Sequence, residues 1–154
     1  MKKSLPFLIF CFFFFAISVF AQEARKIDEF GNTSCDDFLS RLEGLFVELN
    51  GLKDTKGYVF VYEGRMLNPL YNQQNKTVYP RRGEAKAELE NVRRHIIFRN
   101  YDKNGIVLVE GGFRARYTVE FWIVPNNATP PKESPTLKKM KYRKGKAEYS
   151  CKYL

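Results

Sequence analysis

The chain is poor in the side chains that metal and nucleophile chemistry use most. Among 154 residues there is a single histidine, His95, and only three cysteines. One histidine excludes a His-based metal cluster or a relay between histidines. The absence of any CxxC pair argues against a dithiol redox centre. There is no G-x-S-x-G elbow, and Ser34 and Ser40 have no evident base. "EGGFR" falls short of a phosphate-loop pattern and suits a tight turn instead. Glu43, Glu48, Glu84, Glu88 and Glu90 lie in helical patterns whose outer faces are expected to be solvated, which weakens a paired-carboxylate hydrolase. His95, near the end of its helix, is expected at a surface or edge. No catalytic residue, metal or cofactor is implied, and an enzyme is not expected.

Long apolar runs are equally scarce after the first twenty residues. Met1-Lys2-Lys3 opens on positive charge, "SLPFLIFCFFFFAISVF" follows, and Val19-Phe20-Ala21 suits a signal peptidase. The pattern predicts a leader at residues 1–21, cleaved after Ala21, and an exported protein. The alternative is a retained anchor, since about 17 apolar residues is near the lower limit for spanning a bilayer. Roughly 130 residues remain, enough for one domain with one core. Cys11 leaves with the leader. Cys35 and Cys151 then form an even pair, which in an exported chain predicts a disulfide.

The formal charge of +9 invites comparison with nucleic-acid binders, but its distribution decides otherwise. Removing Lys2 and Lys3 lowers it to +7, and the segment from Asn126 onward carries +6 of that. The body is nearly neutral, so polyanion affinity is expected in the tail, at Lys138, Lys139, Lys141, Arg143, Lys144 and Lys146. These alternate with Tyr142, Tyr149 and Tyr153, and contacts through them would be salt-sensitive. The same spacing also fits an added strand, or a solvated tail pinned by Cys151. In an exported protein, anionic lipids or wall polymers are the expected partners rather than nucleic acid.

Periodicity predicts the elements. Residues 24–30 alternate as a short strand. Phe38, Leu42, Leu45 and Leu49 repeat at helical spacing behind the capping candidates of "GNTSCDDF", and Asn50-Gly51 ends that helix. "KGYVFVYEG" suits a buried strand at residues 58–62. From Arg65 to Arg82 there is no periodicity, and a loop that long is often functional. Arg65, Tyr71, Asn72, Arg81 and Arg82 are its candidate ligand contacts. Ala85, Leu89, Val92 and Ile96 then mark a second amphipathic helix. "IVLVEGG" and "RYTVEFWIVP" read as two strands, with residues 111–116 expected to turn them into an antiparallel hairpin. Residues 126–154 are expected to be a Pro-rich linker and basic tail outside the core. The order β-α-β-α-β-β predicts an α+β fold, one mixed sheet with two helices packed on one face.

That order in an exported chain resembles the OmpA-like domain that anchors bacterial outer-membrane proteins to peptidoglycan. The likeness runs from Ala24 to Pro125, and "GYVFVYEG", "NVRRHI", the step from Ile96 to Ile106 and "TVEFWIVP" carry it. The resemblance implies a bacterial periplasm or cell envelope and a ligand clamp that pairs an aspartate after the second strand with an arginine in the second helix. Here the arginine position is Glu88, and Glu63 is the nearest carboxylate to the aspartate position. The helix therefore has the family's frame without its reading residues. The sequons at Asn32, Asn75 and Asn127 would matter in a eukaryotic secretory pathway, but three matches in a chain rich in Asn and Thr are weak evidence. The family-like pattern with the short Met-Lys-Lys leader favours a bacterial origin. Two expectations stay open: a non-enzymatic envelope protein that binds peptidoglycan or an envelope protein through the Arg65–Arg82 loop and Glu88, or an exported module whose basic tail contacts an anionic polymer or lipid surface while the domain is a scaffold.

Overall fold

A computed structural model of the chain describes residues 23–67, 76–147 and 151. The leader and its cleavage position lie outside the described residues. Among those residues no helix is long and apolar enough to cross a membrane.

The elements follow in the order β1 (Arg25–Phe30), α1 (Cys35–Asn50), β2 (Thr55–Leu67), β3 (Thr77–Val78), α2 (Glu84–Phe98), β4 (Ile106–Arg116) and β5 (Thr118–Pro125). They build an α+β fold on one mixed sheet. β2 lies at its centre, antiparallel to β5 on one side and parallel to β4 on the other, while β1 pairs antiparallel with β5. β1, β2 and β4 therefore all run the same way, and their carboxyl ends share one end of the sheet with the amino ends of both helices.

Local chemistry explains the helices. Ser34 caps α1 by accepting from the Asp37 amide, with Asp36 and Asp37 at the positive end of the helix dipole. Phe38, Leu42, Leu45 and Phe46 are buried from α1, and Ala85, Leu89, Val92 and Ile96 from α2. They share one core with Val59, Val61, Val119, Phe121 and Ile123 of the sheet, which places both helices on the same face.

Two strand expectations are corrected. β2 runs on to Leu67 because Met66 and Leu67 pair antiparallel with Val78 and Thr77, so Arg65 belongs to a strand rather than a loop. β4 and β5 do not form a hairpin. β4 continues through Gly111 and Gly112 to Arg116, and β2 separates it from β5. Two register shifts along β4, one at the left-handed Gly112 (φ 86°), carry its end toward β2. A single residue, Tyr117, then joins β4 to β5 by crossing β2 at Gly64. A Cβ on Gly64 would lie 2.1 Å from the carbonyl carbon of Arg116, so only glycine fits beneath the crossing. The Tyr117 amide donates to the Arg65 carbonyl at 3.0 Å and fixes the crossing in place.

The sheet's other face is not bare. Phe60 and Tyr62 are buried there; the Arg114 guanidinium sits 3.6 Å from the Tyr62 ring centroid, and Ser134 meets the Tyr62 hydroxyl. The Pro-rich segment, expected as a linker outside the core, meets this face through Ser134. Beside it Glu120, almost fully buried, accepts from Lys26, Arg114 and Trp122. Burial alone would raise its pKa, but these three hydrogen bonds hold it below the ordinary carboxylate range.

Two substitutions test the crossing. Gly64→Ala is expected to cost more than about 3 kcal/mol, beyond the usual range for overpacking, because backbone cannot yield as a side chain does. Gly44→Ala, in α1 with nothing within 4 Å of the new methyl, should gain about 0.5–1 kcal/mol. Denaturant midpoints of both variants measure the contrast.

Candidate functional site

The buried surface of α2 is wider than its apolar stripe. Next to Ala85, Leu89, Val92 and Ile96 runs a second buried row, Glu84, Glu88, Asn91 and His95, also at spacings of three and four. Glu84 and Glu88 are each 2% exposed, which corrects the expectation that they face solvent. Buried carboxylates require donors and counter-charges, and the arrangement around them defines the site.

α2 opens at Gly83, in a left-handed conformation (φ 84°) and with no side-chain cap of its own. The missing acceptor comes from β2, as Glu63 Oε1 accepts the Gly83 amide at 2.9 Å. Glu63 Oε2 accepts the Tyr142 hydroxyl at 2.7 Å. Burial, then the hydrogen bond to Glu63 and its charge, push the Tyr142 hydroxyl up to about 12. Glu88 Oε1 accepts from Asn91 at 3.1 Å. Glu84 faces Arg143 Nη2 at 3.4 Å, and burial raises its carboxyl against a hydrogen bond from the Arg81 backbone and the charges of Arg143 and Arg81. The Tyr117 hydroxyl, carried here by the crossing at Gly64, is driven well above its usual range by burial and then by Glu88 and Glu84.

Tyr142 and Arg143 come from the tail, whose described residues 136–147 lie as a strap over this end of the sheet. Thr136 and Leu137 donate to the Phe113 carbonyl, the Arg143 amide donates to the Pro80 carbonyl at 3.0 Å, and Cys151 is joined to Cys35 at the start of α1. The predicted disulfide is present, with a Cα–Cα distance of 4.9 Å. Leu137 and Phe113 form only an isolated bridge, so no added strand is seen among the described residues.

The sequence-predicted residues divide accordingly. Glu88 and Arg81 belong to the acidic end, where Glu88 acts electrostatically on Tyr117 and Arg81 on Glu84, with Arg82 5.2 Å from the Tyr142 ring centroid. Arg65 lies apart, in a cleft of about 330 Å³ that it lines with Tyr79, Leu137, Lys139, Met140 and Lys141. Lys138, Lys139, Lys141, Lys144 and Lys146 are exposed, whereas Arg143 turns inward. Tyr71 and Asn72 lie outside the described residues. Sequence reasoning missed Glu84, Tyr117 and Tyr142 as partners; only the Glu84/Glu88/Asn91/His95 spacing could have revealed the buried row.

His95 is also buried, at 7% exposure, against the surface position expected of it. Its Nε2 meets Glu43 at 2.8 Å, and Arg99 and Tyr101 join the same carboxylate. Burial would raise the Glu43 carboxyl, but hydrogen bonds from His95, Arg99 and Tyr101 hold it low. This cluster clamps α1 to α2 about 16 Å along the helix from Glu84, too far to share a reaction centre. No group of three or more candidate ligands among the described residues could hold a metal ion. Comparison with protein-family models, curated proteins and solved structures finds no match.

Glu84 makes a pH test of this arrangement. A carboxyl raised in the fold stabilises it while protonated, and that contribution is lost as pH climbs from the ordinary value of 4.5 through the folded value. Glu84→Gln is therefore expected to gain stability relative to the parent chain over that climb, as read from denaturant midpoints. A difference that stays flat or falls would contradict the buried, under-compensated carboxylate.

Proposed function

We propose that the chain is a non-enzymatic binding module of the bacterial cell envelope that docks its basic strap onto an anionic surface, with the domain as a rigid scaffold. The observation that carries this reading is the cleft where Arg65 of β2 meets Lys139 and Lys141 of the strap beside Tyr79 and Leu137. Three cations and no carboxylate line it, and the apolar and aromatic side chains supply contact area between the charges. Anchoring at Phe113, Pro80 and Cys35 holds these cations without the ordering cost that a free tail would incur on binding. The disulfide is weakly consistent with export.

The strap gains support over the OmpA-like clamp because the two clamp positions hold Glu63 and Glu88, both buried and both hydrogen-bonded within the protein. A peptidoglycan stem is therefore a poorer fit to this geometry than an anionic polymer or lipid headgroup.

Binding to vesicles with and without anionic lipid, and to cell wall with and without its anionic polymers, tests the proposal and separates the two sources of negative charge. At about 1 kcal/mol per basic residue near a charged surface, Lys139→Ser with Lys141→Ser should weaken binding by about 2 kcal/mol, roughly thirtyfold. Lys53→Ser, on the exposed turn after α1, should change it little. Equal losses from both, or binding indifferent to salt, would overturn the reading.

A further inference from the structure

The basic cleft does not end at its cations. Leu137, which lines it, also lines a second cleft with Gly112, Phe113, Pro135, Thr136 and Lys138. Leu137 is 40% exposed, and Tyr79, in the first cleft, is 42% exposed. Leu67, 53% exposed, lies two residues beyond Arg65 and so on the same face of β2, opposite Met66, which packs against the core beneath the helices. Single exposed apolar residues are ordinary, but apolar side chains gathered inside a charged rim mark an interaction surface.

The rim has one sign. Arg65, Lys138, Lys139 and Lys141 line the two clefts, and no carboxylate does. None of the four is in an ion pair among the described residues. Glu133, the one acidic residue between positions 132 and 147, lines neither cleft. The Phe113 carbonyl accepts the Thr136 and Leu137 amides and holds this part of the strap in place before any contact, so little freedom is lost on docking.

A partner that satisfies both features must present negative charge and, directly beneath it, an apolar layer. A hydrated wall polymer supplies only the charge and would leave Leu137 and Tyr79 in water. A bilayer with anionic headgroups supplies both within about 5–10 Å of depth. Tyrosine suits that boundary, with its ring toward the acyl chains and its hydroxyl among the headgroups. Lysine stems can lie along apolar surface while their ammonium groups stay at the phosphates.

We propose that this surface is a membrane-docking face, which seats Leu137 and Tyr79 below the headgroups of an anionic bilayer while Arg65, Lys138, Lys139 and Lys141 engage the lipid phosphates. The proposal rests on the reading of the basic cleft above and narrows its partner from any anionic surface to a lipid one. Binding then has an electrostatic part that salt screens and an apolar part that it does not.

The full, disulfide-bonded chain is tested against two probes, vesicles of equimolar phosphatidylcholine and phosphatidylglycerol, and dextran sulfate, a soluble polyanion without an apolar layer. Leu137→Ser with Tyr79→Ser should weaken vesicle binding by about tenfold, as partial burial of two large side chains is lost. Binding to dextran sulfate should be unchanged by that pair, whereas Lys139→Ser with Lys141→Ser should weaken both. In Leu137→Trp, brominated acyl chains should quench the introduced indole and its emission should shift to the blue. The parent, with only Trp122, paired with Tyr58 toward the other end of β2, should show neither change. Should the double serine variant fail to fold, the quenching measurement decides. Equal losses on the two probes, no loss on vesicles, or an unquenched indole would each overturn the membrane face. If the lysine pair still weakened both probes, the basic cleft would stand without it; indifference of both probes to the lysine pair would remove the cleft as well.

Discussion

The close passage of the β4–β5 connection over Gly64 is the constraint on which the rest of the architecture depends. Because the chain crosses its own central strand within one residue, β4 and β5 must flank β2 rather than pair with each other. The crossing fixes Tyr117, whose buried hydroxyl feels the charges of Glu88 and Glu84. It also requires the bulged, glycine-bearing course of β4, where the Tyr62 ring occupies the space that a Cβ on Gly111 would need. A fold without the crossing would have an ordinary hairpin, with Tyr117 carried elsewhere.

Polar burial at this end of the sheet is tolerable because each element supplies part of the compensation. Glu63 provides the acceptor that α2 lacks at Gly83, Asn91 serves Glu88, and the strap adds Tyr142 and Arg143. Removing any one partner would leave the others buried and short of a bond, which is costlier than the bond itself is worth. The strap is therefore a structural part of the domain as well as its charged surface. Its covalent tie closes a loop with a sequence separation of 116, which in the chain-entropy model removes about 4–5 kcal/mol of freedom from the unfolded state.

Much of this was legible in the sequence, and the remainder was hidden for identifiable reasons. Leu42, Leu45, Val92 and Ile96 announce their helices through spacing alone, and the even cysteine count predicts the Cys35–Cys151 bond. The mixed sheet with both helices on one face follows from element order. Glycines mislead at Gly111 and Gly112, since a tight turn and a bulge within a strand use the same residue. Glu84 meets its ion-pair partner Arg143 from far along the chain, and hydropathy assigns any glutamate to solvent. Arg65 and Lys139 likewise share a cleft only because the strap folds back, which nothing local to either residue encodes. The leader and the residues at 71 and 72 lie outside the described structure, so those expectations remain expectations.

The central claim is that residues 136–147, with Cys151, are folded against the body as a strap that covers acidic side chains. Amide hydrogen exchange at Thr136, Leu137 and Arg143 tests it most directly, because their N–H groups donate to the Phe113 and Pro80 carbonyls. The account predicts that all three exchange far more slowly than in an unstructured chain and slow together. Exchange at the rate of a free peptide, in a protein whose β2 and β5 amides remain protected, would contradict it.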